Sequence, residues 1–133
     1  MTKYGQAALA AVKLYRNSPA LSPRSAWDQA TVGIFGERTD SQKKGCPRDA
    51  FLGLCEAGLV KGIPKGSYCR SVLNKNYAIA ALLYLGNNPS FADKPARLWQ
   101  LLMHGRQKVH NSQMDVVLAL WNQGLIVAPG AGG

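Results

Sequence analysis

The sequence predicts an all-α fold of about six helices arranged as two related three-helix units. Three observations carry this prediction. Apolar residues recur at helical spacing in segments separated by Gly, Pro and Ser. Glycines stand where helices should stop, at Gly36, Gly58, Gly105 and Gly124. The stretch "DSQKKGCPRDAFLGLCEAGLV", from Asp40, is echoed by "NSQMDVVLALWNQGLI", from Asn111.

The first helix spans about 3–16, an Ala-rich run carrying Leu9, Val12 and Leu14; Ala has the highest helix propensity. "NSPALSP" breaks it. Ser22 can cap the second helix, with Pro23 at its first position, where the missing N–H costs nothing. Trp27, Ala30 and Ile34 then share one face up to Gly36. The third helix begins near Pro47. It is apolar through Phe51, Leu52, Leu54 and Cys55, and Leu59 can fold back past the Gly58 cap. The second unit repeats the plan as "NKNYAIAALLYLG", "DKPARLWQLLMHG" and "SQMDVVLALWNQGLI".

The correspondence has a consistent drift. Tyr4, Ala7, Ala8 and Leu9 match Tyr77, Ala80, Ala81 and Leu82 at an offset of 73. Trp27 matches Trp99 at 72, and Ser41-Gln42 matches Ser112-Gln113 at 71. Asp49, Leu52, Leu54, Gly58 and Leu59 match Asp115, Leu118, Leu120, Gly124 and Leu125 at 66. Each fall lands between helices, as loop shortening in a second copy requires. The chain reads as one domain over residues 1–126, with units at about 4–60 and 77–126 and a flexible tail at 127–133. Trp27 and Trp99 are the expected equivalent core anchors. The linking segment "KGIPKGSYCRSVLNKN" admits a short β-hairpin, with "GLVKGI" pairing to "SYCRSVL".

At 133 residues and 47% hydrophobic, the chain can bury a core without covalent staples. Its formal charge is +9, and residues 57–92 carry Lys61, Lys65, Arg70 and Lys75 with no acid. Such a surface attracts phosphate or nucleic acid. Cys46, Cys55 and Cys69 are odd in number and lack C-x-x-C spacing, which argues against a disulfide framework and a zinc site. No metal and no cofactor is expected. No run reaches membrane-spanning length, and the N-terminus lacks the apolar core of a signal peptide, so a cytoplasmic protein with no membrane partner is the expectation.

The first unit alone carries the insert "KKGCPR" ahead of its third helix. A helix N-terminus offers unpaired N–H groups and partial positive charge. Lys43, Lys44 and Arg48 add full charges, and Gly45 permits close backbone approach, so the insert reads as a small anion site, though without P-loop spacing. A thiol at the helix N-cap beside two lysines is also a candidate nucleophile, which makes Cys46 a weak catalytic candidate; His110, at the start of the matching loop, is the candidate base. Ser41, Gln42, Ser112 and Gln113 belong to either helix capping or the ligand loop, with capping the simpler reading and Asp115 completing a capping box after Ser112.

"SQKKGCPRDAFLGLCEAGLVKGIPKG" followed by "HNSQMDVVLALW" resembles a family of small uncharacterised bacterial proteins, a domain of unknown function, from Tyr4 to about Ile126. The resemblance implies a stand-alone bacterial, cytoplasmic protein. It carries over no activity and no catalytic residue. The leading functional expectation is a basic module that binds a phosphate-bearing ligand or nucleic acid through the loop 41–48. The alternatives are a cysteine-dependent enzyme or redox-sensitive protein using Cys46, and a structural or protein-interaction module.

Overall fold

The computed structural model describes residues 1–127. Six helices of nine or more residues make the body: α1 (Lys3–Asn17), α2 (Pro23–Phe35), α4 (Gly45–Glu56), α5 (Val72–Asn87), α6 (Pro95–Met103) and α7 (Gln113–Asn122). A single turn, α3 (Asp40–Lys43), precedes α4, and a 3-10 turn at Pro89–Phe91 precedes α6. The fold is all-α.

Local chemistry sets the helix ends. Thr2 Oγ1 accepts from Gly5 N (3.1 Å) at the start of α1, and Ser22 Oγ accepts from Ser25 N (3.0 Å) ahead of Pro23 in α2. Gly36 ends α2 at φ 91°. Gly58 (φ 76°) and Gly124 (φ 68°) end α4 and α7 in the left-handed region, where a Cβ is penalised. At both ends the chain turns back alike: Leu59 N donates to Leu54 O and Leu125 N to Leu120 O, each at 3.0 Å.

Beyond these caps the two halves meet. Val60 and Ile126 form an antiparallel β-bridge. Lys61 N donates to Leu125 O and Val127 N to Leu59 O, both at 2.8 Å. The bonds are reciprocal, because Leu59 and Leu125 hold corresponding places after their glycine caps. This bridge corrects the expected hairpin. Val60 pairs with the far end of the chain, and Val72 and Leu73 belong to α5 instead of a strand. Val127, the first residue of the expected tail, is thus hydrogen-bonded into the fold; the rest of that tail, 128–133, lies outside the described residues.

The long first helix of each half packs on the third helix of the other, α1 on α7 and α5 on α4, while α4 and α7 also pack together. Both exchanged contacts are closed by glycine. A Cβ on Gly53 of α4 would come 2.6 Å from the Lys75 Cα of α5. A Cβ on Gly5 of α1 would come 3.1 Å from the Ala119 Cβ of α7. Gly53 and Ala119 correspond at the offset of 66, so the small residue sits on opposite partners in the two contacts.

The register between α1 and α5 differs from the sequence expectation. Ala8, Ala11, Val12 and Tyr15 are buried, as are Ala78, Ala81, Leu82 and Leu85, an offset of 70. The helix ends agree: Ser18 has φ −142°, ψ 75° and Asn88 has φ −139°, ψ 65°. Tyr4 is therefore no counterpart of Tyr77; it is half-buried against Phe35 (4.8 Å between ring centroids), whereas Tyr77 is buried edge-on to Trp99 (5.1 Å). Trp27 and Trp99 are both buried, Trp27 stacked on Phe51 at 5.3 Å.

The glycine contact has a measurable consequence. Gly53→Ala has no room and is expected to lose about 1–3 kcal/mol of unfolding free energy, the cost of overpacking a closed core. Gly33→Ala in α2, with nothing within 4 Å of its Cβ, is expected to gain about 0.5–1 kcal/mol. Chemical denaturation of the two variants checks the opposite signs.

Candidate functional site

The insert folds as two helix starts in succession. Thr39 Oγ1 accepts from Gln42 N (3.1 Å) and opens α3, which holds Asp40, Ser41, Gln42 and Lys43. Lys44 is both the last cap of α3 and the residue before α4, and no side chain caps α4 there. Cys46 is therefore the second residue of α4, where an N-cap position was expected. The helix begins at Gly45, ahead of the expected Pro47.

Several predicted ligands already have partners. The Arg48 guanidinium lies side-on to Asp49, with Nε 3.2 Å from Oδ1 and Nη2 3.4 Å from Oδ2; Asp49 is buried. A buried carboxylate needs that cation, so Arg48 is spent on the fold. Gln42 Nε2 donates to the buried Thr31 hydroxyl (3.2 Å). The Ser41 carbonyl accepts from the Tyr4 hydroxyl (2.9 Å), leaving the Ser41 side chain at the surface. Lys43 is exposed. Lys44 is half-buried, with its ammonium 5.6 Å from the centroid of the Tyr4 ring. Tyr4 thereby holds this charge at the mouth of α4.

The matching loop is built differently. His104 (φ 50°) and Gly105 (φ 84°) stop α6, and Trp99 Nε1 donates to Lys108 O (2.8 Å), pinning the loop from inside. Ser112 takes φ 69° and its side chain caps nothing, which corrects the expected Ser112–Asp115 capping box. His110 does the work instead: its Nε2 accepts from Met114 N at 3.0 Å. Gln113 is 1% exposed, and both ends of its amide are used. Its Oε1 accepts from Asn111 N (2.8 Å) and its Nε2 donates to Asn74 Oδ1 (3.1 Å), tying the start of α7 to that of α5. Both repeated glutamines thus hold structure, through different partners.

The two loops are linked electrostatically, through Lys44 and His110. Burial lowers the pKa of His110, the positive charge of Lys44 lowers it further, and Asp115 opposes them. The imidazole is neutral at pH 7, with its proton on Nδ1. Among the described residues no hydrogen bond joins it to Cys46, and the lone pair a base would use is already occupied by the Met114 amide. Cys46 is a half-buried free thiol. Cys55 is fully buried, and desolvation pushes its thiol far up, as a core position implies.

A second basic feature lies in the segment 61–70. Glu56 Oε1 accepts from Tyr68 N (2.9 Å) and Cys69 N (3.0 Å), while Lys75 Nζ stands 2.7 Å from Oε2. The lysine bond, followed by the two amides, holds the carboxyl at about 2, well below its usual 4.5. Lys75 is therefore withdrawn from the acid-free cationic run. Arg16 Nη2 braces Lys61 O (2.9 Å), and Arg24 Nη2 braces Tyr68 O (3.2 Å). Beside Arg24 opens a pocket of about 260 Å³ lined by Ser22, Arg24, Ser67, Tyr68, Cys69 and Arg70. Sequence reasoning passed over Ser22 and Arg24 as site residues. The available signal was a cation in the first turn of α2, where the helix dipole disfavours one.

A larger cavity of about 360 Å³, lined mainly by apolar atoms, includes Thr2, Asp93, Asp115 and Leu118; its carboxylates make it a poor host for an anion. Among the described residues no group of His, Cys, Asp and Glu could hold a metal ion, and no helix is long and apolar enough to cross a membrane. A family of unknown function, DUF6979, matches residues 1–127. No curated protein and no solved structure matches the chain.

His110 reports on its coupling to Lys44. Its folded pKa lies below that of the unfolded chain, so acidification through about 6.5 protonates the unfolded state first and stability falls there. Protonation at Nε2 also breaks the Met114 cap. Lys44→Gln removes one lowering charge, and the His110 midpoint, followed by NMR, is expected to rise. An unmoved midpoint would contradict that coupling.

Proposed function

The chain belongs to that family, and we propose that it is a non-enzymatic binding module for a phosphate-bearing ligand, with nucleic acid as the leading partner. The observation that carries this reading is the mouth of α4. The helix has no side-chain cap, Lys43 is exposed beside it, and Lys44 is held there by Tyr4. The Gly45 and Cys46 N–H groups (Pro47 has none), the helix dipole and two nearby lysines favour an anion at this end of the helix. Arg48, expected to contribute, serves Asp49 instead, so the proposed ligand groups are Lys43, Lys44 and the Gly45 and Cys46 amides.

The wider charge balance supports the same reading. Asp49 and Glu56 are neutralised inside the protein by Arg48 and Lys75, and the surplus of +9 remains. A cytoplasmic site of action belongs to this proposal, supported by three free cysteines of the kind a reducing compartment preserves. A bacterial origin rests on the family resemblance alone.

Binding of short single- and double-stranded oligonucleotides, measured by fluorescence anisotropy across salt concentrations, tests the proposal. Affinity is expected to fall steeply with salt. Replacing both Lys43 and Lys44 by Ala should reduce the log–log slope by up to about 1.8 for duplex, about 0.9 for each phosphate no longer neutralised. No binding at about 50 mM salt, or an unchanged slope in the double variant, contradicts it.

A further inference from the structure

We propose that the pocket between the start of α2 and residues 67–70 is a separate phosphate-monoester site, one that takes the terminal phosphate of a nucleotide or of a nucleic-acid strand. This rests on the reading of the protein as a phosphate binder and adds the form of phosphate and the residues that recognise it.

The lining carries the argument. Two of its six residues are arginines, two are serines, and none is acidic. Arg24 is half-buried and uses Nη2 on the Tyr68 carbonyl, which fixes the plane of its guanidinium and leaves its other N–H groups unassigned. Arg70 is exposed and has no hydrogen-bonded partner among the described residues, and the same holds for the Ser67 hydroxyl. Ser22 lines the pocket, but its hydroxyl is engaged in the α2 cap, accepting from Ser25 N and donating to Ser25 Oγ (3.1 Å). A planar fork matches phosphate oxygens two at a time, and the Ser67 hydroxyl supplies a further donor.

The wall behind these groups is rigid and electrically quiet. The Tyr68 and Cys69 amides are turned inward onto Glu56, whose charge is balanced by Lys75. The Tyr68 hydroxyl donates to Pro64 O at 2.7 Å, and its ring lies where a side chain on Gly66 would be, with a Cβ there only 2.6 Å from the ring Cζ. The Cys69 thiol sits between the carbonyls of Asp49 and Ser71 (3.4 and 3.3 Å), and burial raises its pKa, so it adds no negative charge.

Shape and charge select the monoester. A phosphate monoester carries about −1.5 to −2 at neutral pH, which two guanidiniums balance; an internal diester carries only −1. A diester also brings a sugar on each side, whereas a pocket of about 260 Å³ receives one phosphate and the group attached to it.

The test compares two oligonucleotides identical except for a 5′-phosphate or a 5′-hydroxyl, together with a nucleoside monophosphate and inorganic phosphate as competitors. The wild-type protein is expected to prefer the 5′-phosphate strand by about ten-fold or more, the scale of a charge-assisted bidentate contact. Arg70→Ala, at an exposed position that leaves the fold intact, should erase the preference while leaving 5′-hydroxyl binding in place. Arg70→Lys should restore only part of it, since a point charge lacks the fork. Replacing Lys43 and Lys44 by Ala should weaken both strands equally. Competition by the nucleoside monophosphate but not by inorganic phosphate identifies a nucleotide end as the source; competition by both identifies the phosphate alone. Equal binding of the two strands by the wild-type protein, or equal weakening of both by Arg70→Ala, overturns the proposal. If no oligonucleotide binds, yet a nucleoside monophosphate raises the melting temperature of wild type and not of Arg70→Ala, the nucleic-acid reading fails and the pocket stands. If that shift is absent too, both fail.

Discussion

Two backbone hydrogen bonds, Lys61 N to Leu125 O and Val127 N to Leu59 O, close the molecule on itself. Everything else is arranged around them. They sit just past the glycine caps of α4 and α7, so those two helices end side by side at one junction. With α4 and α7 packed together, each presents its flank to the long first helix of the other half. The exchanged contacts must then be close, and each contains one glycine: Gly53 against Lys75, and Gly5 against Ala119. A half taken alone would leave the apolar flank of its long helix uncovered. The buried core, from Ala8 and Val12 through Phe51 and Leu82 to Leu120, is accordingly one body drawn from both halves. We propose a doubled three-helix unit as the origin of this arrangement.

Much of this is legible in the sequence, and the failures are instructive. Helix punctuation by Ser22-Pro23, Gly36, Gly58 and Gly124 is readable because capping is local chemistry. The burial of Trp27 and Trp99 is readable because each is a large apolar residue at helical spacing with other apolar residues. The α1–α5 register departs from the sequence expectation by three residues. Tyrosine and alanine identities in an Ala-rich helix match at several offsets, whereas the helix ends, Asn17-Ser18-Pro19 and Asn87-Asn88-Pro89, match at only one. The hairpin fails for another reason. "SYCRSVL" has strand-like composition, but Ser71 Oγ accepts from Asn74 N (3.2 Å) and starts α5 within it. The true partner of Val60 is far along the chain, beyond any local pattern.

The candidate site divides along the same line. That the insert is basic and precedes a helix can be read directly. Which of its charges stay free depends on the partners that the folded geometry gives them. Arg48 is taken by Asp49, its neighbour in sequence, and Lys44 is placed by Tyr4, forty residues away. The repeated Ser-Gln pairs look interchangeable, yet Gln42 reaches Thr31 and Gln113 reaches Asn74, and neither serine side chain caps its helix. His110, a candidate base by type, is by geometry the acceptor for the Met114 amide at the start of α7. The Arg24–Arg70 pocket joins two segments that no spacing rule connects.

The most direct measurement of the central claim is amide hydrogen exchange at Lys61 and Val127. Both residues lie outside helices, so nothing but the reciprocal bridge protects them. Both amides are predicted to exchange slowly and at matching free energies, opening only with the fold as a whole. Rapid exchange at either position, with the helices still protected, would contradict a fold closed at this junction.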